Sequence, residues 1–327
     1  MIGWYVHDHG RGHVQRAHCI VPLLSTPVTV LSSLARPEGF VGGWLRLVTD
    51  RPTGDDSEVT AGGTQHWVPL HHPGLRRRMG AIAAWVACSQ PTLMVVDVSV
   101  EVAVLVRSMG VPIVLVAMRG ERTDRAHRTA YDLATMLLAP WPAELAEPWP
   151  EAWLAKTWHV GALSRHDGQV AVPPPGTGQV TVLWGQGGSE VSVLDVEASA
   201  VASPGWTWSV AGVGATWHED TWSLLQHTDV VVIQAGQNVV AEVAAARRPA
   251  VVIPQPRPYG EQEATAAVLD RARLAVVRPT WPSPKCWPEL LERAQRLGGG
   301  SWNRWSDGGG AARAAALLDE AASCGPQ

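Results

Sequence analysis

The sequence predicts an α/β protein with two doubly wound, Rossmann-like domains of parallel strands. Three observations support this prediction. Short apolar runs alternate with helix-patterned segments in the first half of the chain, Pro-rich stretches interrupt the pattern near its middle, and the alternation restarts at residue 180. Strands that alternate with helices form parallel sheets with helices on both faces. A chain of 327 residues is long enough for two such domains.

Four strands and four helices are predicted in the first half. The runs at 2–6, 28–31, 93–96 and 112–116 have the length of strands, and the segments 14–24, 75–87, 100–109 and 125–138 have helical spacing. Pro-rich stretches at 140–150 and 170–179 then break the pattern, because proline fixes φ and lacks an N–H donor. We therefore place an N-terminal domain over 1–165 and a C-terminal domain over 166–327.

The second half opens with a strand at 180–184 and contains the most informative segment, 230–277. This segment predicts a βαβα unit with a strand at 230–233, a small-residue turn at 235–238, a helix at 239–246, a strand at 250–253 and a helix opening at 260–262. Polar groups follow both strands, at the edge where open α/β sheets bind ligands. A last, Ala-rich helix is predicted at 308–322.

Composition excludes several classes of protein. With 46% apolar and 17% charged residues, a large core is expected and global disorder is not. The net charge of −4 argues against a nucleic-acid partner. The four cysteines are far apart and form no CxxC pair, so neither a disulfide framework nor a zinc site is predicted. We expect no cofactor.

The expected location is the bacterial cytoplasm. The N-terminus lacks a basic region followed by a long apolar stretch, and no window of 18 residues is uninterruptedly apolar. Arginine greatly outnumbers lysine, which is typical of a high-GC bacterium. The segment 75–86 opens with three arginines and predicts a basic amphipathic helix that contacts the inner face of the membrane. The alternative is a charged helix end over a buried face.

Segment 230–277 resembles the donor-binding half of glycosyltransferase family 28. The resemblance rests on Ala235-Gly236, Glu242, the Ala-rich run that ends at Pro249, and Glu261-Gln262. It extends well over 180–277 and loosely over nearly the whole chain. It implies the GT-B architecture, in which two doubly wound domains face each other across an interdomain cleft. It also implies an acceptor on the first domain, a nucleotide-sugar donor on the second, and a terminal helix that returns to the first domain.

The loop after the first strand, HDHGRGH, is the first candidate site. Its glycines permit a tight turn, and a helix N-terminus attracts anionic or polar groups. The spacing is not the GxGxxG of dinucleotide sites, but it resembles the Gly-Gly-His turn of family 28. That resemblance implies that His13 is the general base; the alternative is that it caps the helix and binds the acceptor. The predicted acceptor-binding residues of this loop are His7, His9, Gly10, Arg11 and Gly12.

The same loop suggests a metal site as an alternative. Three histidines and one aspartate fall within seven residues, and His7 and His9 have the period of side chains on one face of a strand. No distant cluster of cysteine and histidine completes a set of four ligands. The sequence therefore predicts no metal site.

Four further residues of the first domain are candidates. Asp97 and Glu101 follow the fourth strand, where either carboxylate could orient the histidine. The alternatives are a helix N-cap for Asp97 and a first-turn helix charge for Glu101. Arg119, with Arg122, could clamp an anionic acceptor, and a solvated loop is the alternative.

The donor site is predicted on two loops of the second domain. A Gly-rich turn and the turn before the next helix open at the same sheet edge, where several N–H groups could surround a diphosphate. By resemblance, Glu242 binds the ribose, Glu261 and Gln262 bind the donor sugar, and His218 borders the nucleobase. The alternative is that these are ordinary polar residues of helices. The predicted loop residues are Gly185, Gln186, Gly187, Gly188, Gly236, Gln237 and Asn238.

These observations predict an inverting, metal-independent glycosyltransferase of the hexosyltransferase type. No Asp-x-Asp pair stands in a plausible metal position, and position 250 is Ala, so the EX₇E pattern of retaining enzymes does not start at Glu242. The expected partners are a UDP- or dTDP-sugar and an acceptor that is a small molecule, a glycan or a lipid-linked glycan. One alternative is a nucleotide-sugar hydrolase, because GRGHVQR resembles the Gly-x-Gly-His-x-x-Arg turn of the pseudaminic acid pathway enzyme. Another is a non-catalytic sugar-nucleotide-binding protein.

Overall fold

The computed structural model describes residues 1–8, 12–184, 191–212 and 220–323. All strand pairs that it describes are parallel and lie in two sheets of seven and five strands, so the predicted doubly wound α/β class is confirmed. The chain divides into two compact units. Unit 1 comprises Met1–Pro140, Glu147–Val160 and Ala311–Gln327, and unit 2 comprises Trp141–Ala146 and Gly161–Gly310.

Unit 1 is built on a seven-stranded sheet. Its strands are β1 (Ile2–Val6), β2 (Val28–Ser32), β3 (Gly43–Arg46), β4 (Leu93–Asp97), β5 (Ile113–Val116), β6 (Met136–Ala139) and β7 (Thr157–His159). They are ordered β3-β2-β1-β4-β5-β6-β7. The order reverses between β1 and β4, both fully buried. Ligand sites of open parallel sheets lie at the carboxyl ends of such strands.

Helices connect these strands, and side-chain caps fix where they begin. The helices are α1 (Gly12–Ile20), α2 (Pro73–Ser89), α3 (Val100–Ser108), α4 (Arg125–Leu133) and the short α5 (Glu151–Leu154). The side chains of His72, Ser99 and Asp124 accept backbone N–H groups at the starts of α2, α3 and α4. Such caps satisfy donors that the first helical turn leaves free.

One predicted helix, 125–138, is too long. Helix α4 ends at Leu133 because Ala134 adopts an extended backbone with ψ 136°. The following apolar run forms β6, which pairs with both β5 and β7. A run of four apolar residues after a helix cannot be assigned by periodicity alone. Strands β3 and β7 were not predicted, because their exposed or half-buried residues form no apolar run.

The predicted membrane-facing helix corresponds to α2. Arg76 and Arg77 are exposed, whereas Arg78 is 1% exposed and contacts Asp50 and Ser33. One of the three arginines therefore belongs to the interior of unit 1. In the described part of the chain, no helix is both long and apolar enough to cross a membrane.

Unit 2 is built on a five-stranded sheet in the order β12-β11-β10-β8-β9. Its strands are β8 (Gln179–Leu183), β9 (Thr207–Ala211), β10 (Val230–Ile233), β11 (Ala250–Val252) and β12 (Val276–Val277), and its helices are α6 (Val193–Ala202), α7 (Thr221–Gln226), α8 (Gln237–Ala245), α9 (Glu261–Arg271) and α10 (Trp287–Leu297). Valines of β8 and β10 pack with Trp184 and Trp287 in its core. The carboxyl ends of β8, β10 and β11 lie side by side.

The terminal helix (Gly310–Ser323) packs within unit 1. The Asp319 carboxylate accepts the backbone N–H groups of Ser25 and Thr26 at 2.8 and 2.9 Å. The Arg313 guanidinium donates to the Val160 carbonyl, with Nη2 at 2.7 Å. These bonds join the last segment of unit 1 to segments that precede unit 2 in the chain.

Candidate functional site

The first candidate site lies where β1 and β4 end, at the carboxyl edge of the sheet in unit 1. Val6 is paired with Asp97 in the parallel register. His13, on the first turn of α1, places Nδ1 2.9 Å from Asp97 Oδ1. Arg16, one turn later, donates to both carboxylate oxygens, from Nη2 to Oδ1 at 2.7 Å and from Nε to Oδ2 at 3.0 Å. These side chains form the His13–Asp97–Arg16 cluster.

The base of this cluster is closed to solvent. The side chains of Asp97 and Arg16 are 0% and 5% exposed, and that of His13 is 15% exposed. Burial alone would raise the pKa of Asp97, but Arg16 and His13 outweigh it and hold this pKa well below its usual range. Asp97 is therefore ionised at neutral pH and can orient the imidazole ring.

The imidazole proton of His13 has two placements that fit the geometry, because Arg16 Nη2 also lies 2.7 Å from Nδ1. With the proton on Nδ1, the ring donates to Asp97 and Nε2 keeps a lone pair. With the proton on Nε2, Nδ1 accepts from Arg16. Only the first placement makes His13 a base. The ionised carboxylate favours this placement, since it accepts the Nδ1–H bond.

The other predicted residues of the N-terminal loop are described in part. The side chain of His7 is 27% exposed, and its ring centroid lies 6.1 Å from that of His13. Gly12 is the first residue of α1. The acceptor-binding role of these residues stays a prediction. Three of the predicted residues lie outside the described part of the chain: His9, Gly10 and Arg11.

Glu101, the alternative partner for the histidine, contacts a different segment. Its Oε1 accepts the backbone N–H groups of His66 and Trp67 at 2.7 and 2.9 Å. A carboxylate that accepts two backbone N–H groups fixes the position of a loop. In the described contacts, Asp97 is therefore the carboxylate that meets His13, and Glu101 holds the loop between β3 and α2.

Arg119, predicted to clamp an anionic acceptor, is 1% exposed and forms an ion pair with Glu147. Its backbone carbonyl accepts a hydrogen bond from Arg122 Nη2 at 2.7 Å. A buried guanidinium that is paired with a carboxylate of its own chain has less charge available for a ligand. These contacts give Arg119 a structural role, and the clamp stays a prediction.

The polar centre of unit 2 is Glu242 on α8, which is 7% exposed. Its Oε1 lies 3.0 Å from Arg165 Nε, and its Oε2 accepts the Thr221 hydroxyl at 2.8 Å. Burial lowers the pKa of His166, so the ring is neutral, and its Nε2 lies 2.9 Å from the Thr221 hydroxyl. Each carboxylate oxygen has two lone pairs. Glu242 can therefore accept ligand hydroxyls in addition to its contacts within the protein.

Gln262 connects the ends of β10 and β11. Its Oε1 accepts the backbone N–H groups of Ala235 at 3.1 Å and Gln255 at 2.9 Å, and its Nε2 donates to Gln234 Oε1 at 2.9 Å. Both ends of the amide are thus bonded within the protein. Glu261, the first residue of α9, is half-buried. Of this predicted sugar-binding pair, Glu261 is the more exposed residue.

One of the two predicted diphosphate loops lies at the start of α8. Gly236 is the N-cap, Gln237 is the first helical residue, and Asn238 follows in the first turn. A negatively charged group at this end would meet the positive end of the helix dipole. The other predicted donor-site residues lie outside the described ranges: Gly185, Gln186, Gly187, Gly188 and His218.

Sequence reasoning did not assign Arg16 or Arg165 to these sites. Arg16 lies three residues after His13, and helical spacing alone would place both on one face. Arg165 lies in the connection after β7, 77 positions before Glu242. No local pattern signals a pairing over that separation.

Unit 1 also contains a group of side chains of the kinds that bind metal ions. Among the described residues, His66, Asp124 and His127 form a group that could hold a metal ion. The sequence predicts no such group, because His66 lies in the loop between β3 and α2, whereas Asp124 and His127 lie at the start of α4. It is distinct in composition from the His13–Asp97–Arg16 cluster.

In comparisons with known proteins, the chain is similar to glycosyltransferases. Residues 208–279 match the model of the glycosyltransferase family 28 C-terminal domain. The glycotransferase of kitacinnamycin is 18% identical, with a TM-score of 0.67 and 98% of each chain covered. MurG of Acinetobacter baumannii is 14% identical, with a TM-score of 0.61, 98% of this chain and 99% of that chain covered. The spinosyn rhamnosyltransferase SpnG, complexed with thymidine diphosphate, is 15% identical, with a TM-score of 0.59, 100% of this chain and 97% of that chain covered.

A comparison with curated protein sequences finds no match. At identities this low, the solved structures establish the fold, which is that of GT-B glycosyltransferases. The family match adds the segment that contains Glu242, Glu261 and Gln262. The chain therefore has the GT-B fold, and its residues 208–279 are similar to the C-terminal domain of glycosyltransferase family 28.

Proposed function

We propose that the protein is an inverting, metal-independent glycosyltransferase that moves a sugar from a UDP- or dTDP-sugar to an acceptor hydroxyl. The observation that carries this proposal is the contact of 2.9 Å between His13 Nδ1 and the buried carboxylate of Asp97. The acceptor is a small molecule, a glycan or a lipid-linked glycan. Exposed Arg76 and Arg77 on α2 would face anionic lipid if the acceptor is membrane-bound.

His13 would act as the general base. Asp97 accepts the Nδ1 proton and keeps the ring oriented, so that Nε2 can take the proton of the acceptor hydroxyl. The acceptor oxygen then forms a bond to the anomeric carbon as the bond to the nucleotide diphosphate breaks. A single displacement of this kind inverts the configuration at that carbon. Arg16 neutralises the carboxylate and fixes its orientation.

The donor would bind unit 2. Glu242 would accept the ribose hydroxyls, and Glu261 would bind the donor sugar. The start of α8 would face the diphosphate, where its N–H groups and dipole stabilise negative charge on the leaving group without a metal ion. The bound thymidine diphosphate of SpnG, a protein of the same fold, supports a nucleotide diphosphate as the ligand class.

A nucleotide-sugar hydrolase is the second candidate. The string from Gly10 to Arg16 suggests this reaction, and the structure places Arg16 against the carboxylate that contacts His13. His13 would then remove a proton from water rather than from an acceptor. Nucleotide release that needs an acceptor supports the transferase, and equal release in its absence supports the hydrolase. Donor binding without either reaction would indicate a non-catalytic sensor.

The first prediction is that His13→Ala lowers turnover by about 10²–10⁴-fold, because the reaction loses its base. Thermal shift with a panel of UDP- and dTDP-sugars identifies the donor first, since a ligand that binds the native state raises its stability. Steady-state kinetics at saturating donor and acceptor then give turnover, and calorimetry gives the donor Kd. We expect the donor Kd to be unchanged, because the proposed donor site uses unit 2.

His18→Ala is the matched control, because His18 is an exposed residue of the same helix. The wild-type pH–rate profile should show an acidic limb from protonation of the base, and His13→Ala should lack this limb. Near-normal turnover in His13→Ala would contradict the assignment of the base. A lost donor affinity in this variant would contradict the assignment of the donor to unit 2.

A further inference from the structure

One carboxylate in unit 1 lies between two imidazole rings. Asp124 Oδ1 is 3.2 Å from His66 Nε2, and Asp124 Oδ2 is in close contact with His127 Nδ1. His66 comes from the loop between β3 and α2, whereas the other two residues begin α4. The three ligating atoms lie within 4.8 Å of one another. We name these residues the His66–Asp124–His127 cluster.

The protein holds this cluster through backbone hydrogen bonds and a ring contact. The backbone N–H of His66 donates to Glu101 at 2.7 Å. The backbone N–H of His127 donates to Oδ1 of Asp124 at 3.0 Å. Asp124 is the N-cap of α4. The ring of His127 also packs edge-on against Tyr131. The loop that carries His66 and the start of α4 are therefore fixed with their ligating groups close together.

The cluster is open on one side. The side chains of His66 and Asp124 are 30% and 38% exposed, whereas that of His127 is 8% exposed. An ion could therefore reach the group from solvent. A purely structural N-cap explains Asp124 and His127, but it does not explain why a second imidazole from another loop contacts the same carboxylate.

We propose that His66, Asp124 and His127 bind a divalent transition-metal ion of the Zn²⁺ type. Two imidazole nitrogens and one carboxylate oxygen form the ligand set that suits Zn²⁺, Co²⁺ or Ni²⁺, whereas Mg²⁺ and Ca²⁺ prefer oxygen ligands alone. Neighbouring ligands of tetrahedral Zn²⁺ lie about 3.3 Å apart, given bonds of about 2.0–2.1 Å. The cluster needs only small side-chain rotations to reach that spacing, and one coordination position stays open to solvent.

Arg122 weakens the site in a way that can be tested. Its Nη1 lies 3.2 Å from His127 Nε2. A guanidinium can only donate, so Nε2 accepts and Nδ1 carries the proton that Asp124 accepts. An ion at Nδ1 displaces this proton to Nε2, and Arg122 must then turn toward its backbone partner, the Arg119 carbonyl. The positive charge of Arg122 also opposes a cation.

The experiment is titration of the full chain, freed of metal by a chelator, with Zn²⁺ by calorimetry and with Co²⁺ by visible absorption. We expect one ion per chain and a Co²⁺ spectrum of nitrogen and oxygen ligands. Asp124→Asn and His66→Ala should each weaken binding on the order of tenfold or more. Asn is as good an N-cap as Asp, so the first variant keeps α4 intact. His18→Ala, at an exposed histidine outside the cluster, should bind like wild type.

Arg122→Gln separates this site from other histidines of the chain. Loss of the guanidinium should tighten binding, because Gln can accept the Nε2 proton and adds no charge. Equal affinity in Arg122→Gln and wild type would contradict coordination by His127 Nδ1. Absence of binding by the wild-type chain would overturn the proposal. So would binding that survives Asp124→Asn and His66→Ala but is lost in His7→Ala, since the ion would then belong to the N-terminal loop.

Discussion

Asp97 is a carboxylate with no exposed surface, and both of its oxygens are bonded. Oδ1 contacts His13 and Arg16, and Oδ2 accepts from Arg16. A buried ion pair adds little net stability relative to apolar residues, but removal of one partner leaves the other charge uncompensated. Removal of Asp97, a residue of the proposed catalytic site, should therefore destabilise the fold.

The second prediction concerns acid stability. The folded pKa of Asp97 is depressed, so its contribution to the free energy of unfolding is present above the unfolded pKa of about 3.9 and is lost as the pH falls below it. Asp97→Asn should destabilise the protein by about 3–5 kcal/mol at pH 7, because Arg16 loses its partner. This difference from wild type should shrink below about pH 4. Urea unfolding at several pH values measures it.

Asp55→Asn is the control, since Asp55 is exposed and belongs to the same unit. A stability difference between Asp97→Asn and wild type that stays constant down to pH 2 would show that the carboxylate charge is not responsible.

The sequence identified Asp97 and Glu101 as alternative partners of His13, but it did not predict the full cluster. His13 and Asp97 follow strands that the apolar pattern identifies, and neighbouring parallel strands bring their carboxyl ends together. The same argument applies to Glu101, which also follows the fourth strand. Only the observed side-chain contacts show that Asp97, rather than Glu101, contacts His13. Arg165 was missed because a tertiary ion pair across 77 positions leaves no periodic signal.

At the scale of elements, α8 combines a packed face with a buried carboxylate. Val240, Ala241, Val243 and Ala244 are buried together with Glu242. A solvated helix charge would not need partners, whereas Glu242 has Arg165 and Thr221. Buried charges in proteins are paired and hydrogen-bonded, as Glu242 is.

The third prediction is that Glu242→Gln weakens binding of the donor nucleotide about tenfold or more. A hydrogen bond to a charged group contributes about 1.5–3 kcal/mol, and 1.4 kcal/mol is tenfold in affinity. Gln keeps the size of the side chain and an oxygen that can accept from Thr221. Calorimetry with UDP and dTDP measures the effect, and Glu263→Gln, at an exposed residue of α9, is the control. An unchanged Kd in a variant that melts normally would remove Glu242 from the donor site.

Most elements of the fold follow from the sequence, and the two kinds of failure have different physical causes. Buried strands such as β1, β4 and β10 consist mostly of apolar residues and were predicted within a residue. The boundary between α4 and β6 was missed because helix and strand meet in one apolar run. Edge strands such as β3 pair on one side, so the pairing rather than the side chains defines them.

At the scale of the whole molecule, unit 1 is discontinuous. Its last segment follows all of unit 2 in the chain and binds Ser25 and Thr26 through Asp319. Leu318 of this segment is fully buried, and burial of a leucine side chain contributes about 1.5–3 kcal/mol. The terminal helix is therefore part of the core of unit 1.

The fourth prediction is that a chain ending at Gly310 loses stability in unit 1 while unit 2 still binds the donor nucleotide. Scanning calorimetry should show a weakened or absent transition for unit 1, and a transition for unit 2 that UDP or dTDP raises. Asp319→Ala should show a smaller effect of the same kind, and Glu320→Ala, at an exposed neighbour, should show none. Loss of nucleotide binding on truncation would contradict this division of roles.

The discontinuity of unit 1 also sets an order for folding during synthesis. The ribosome releases the strands of β1 to β7 first, but the segment that covers Ser25 and Thr26 emerges only after Gly310. Unit 2 is almost continuous in the chain and can fold as soon as it leaves the exit tunnel. The unit that carries His13 is therefore completed last, after the whole of unit 2 has been synthesised.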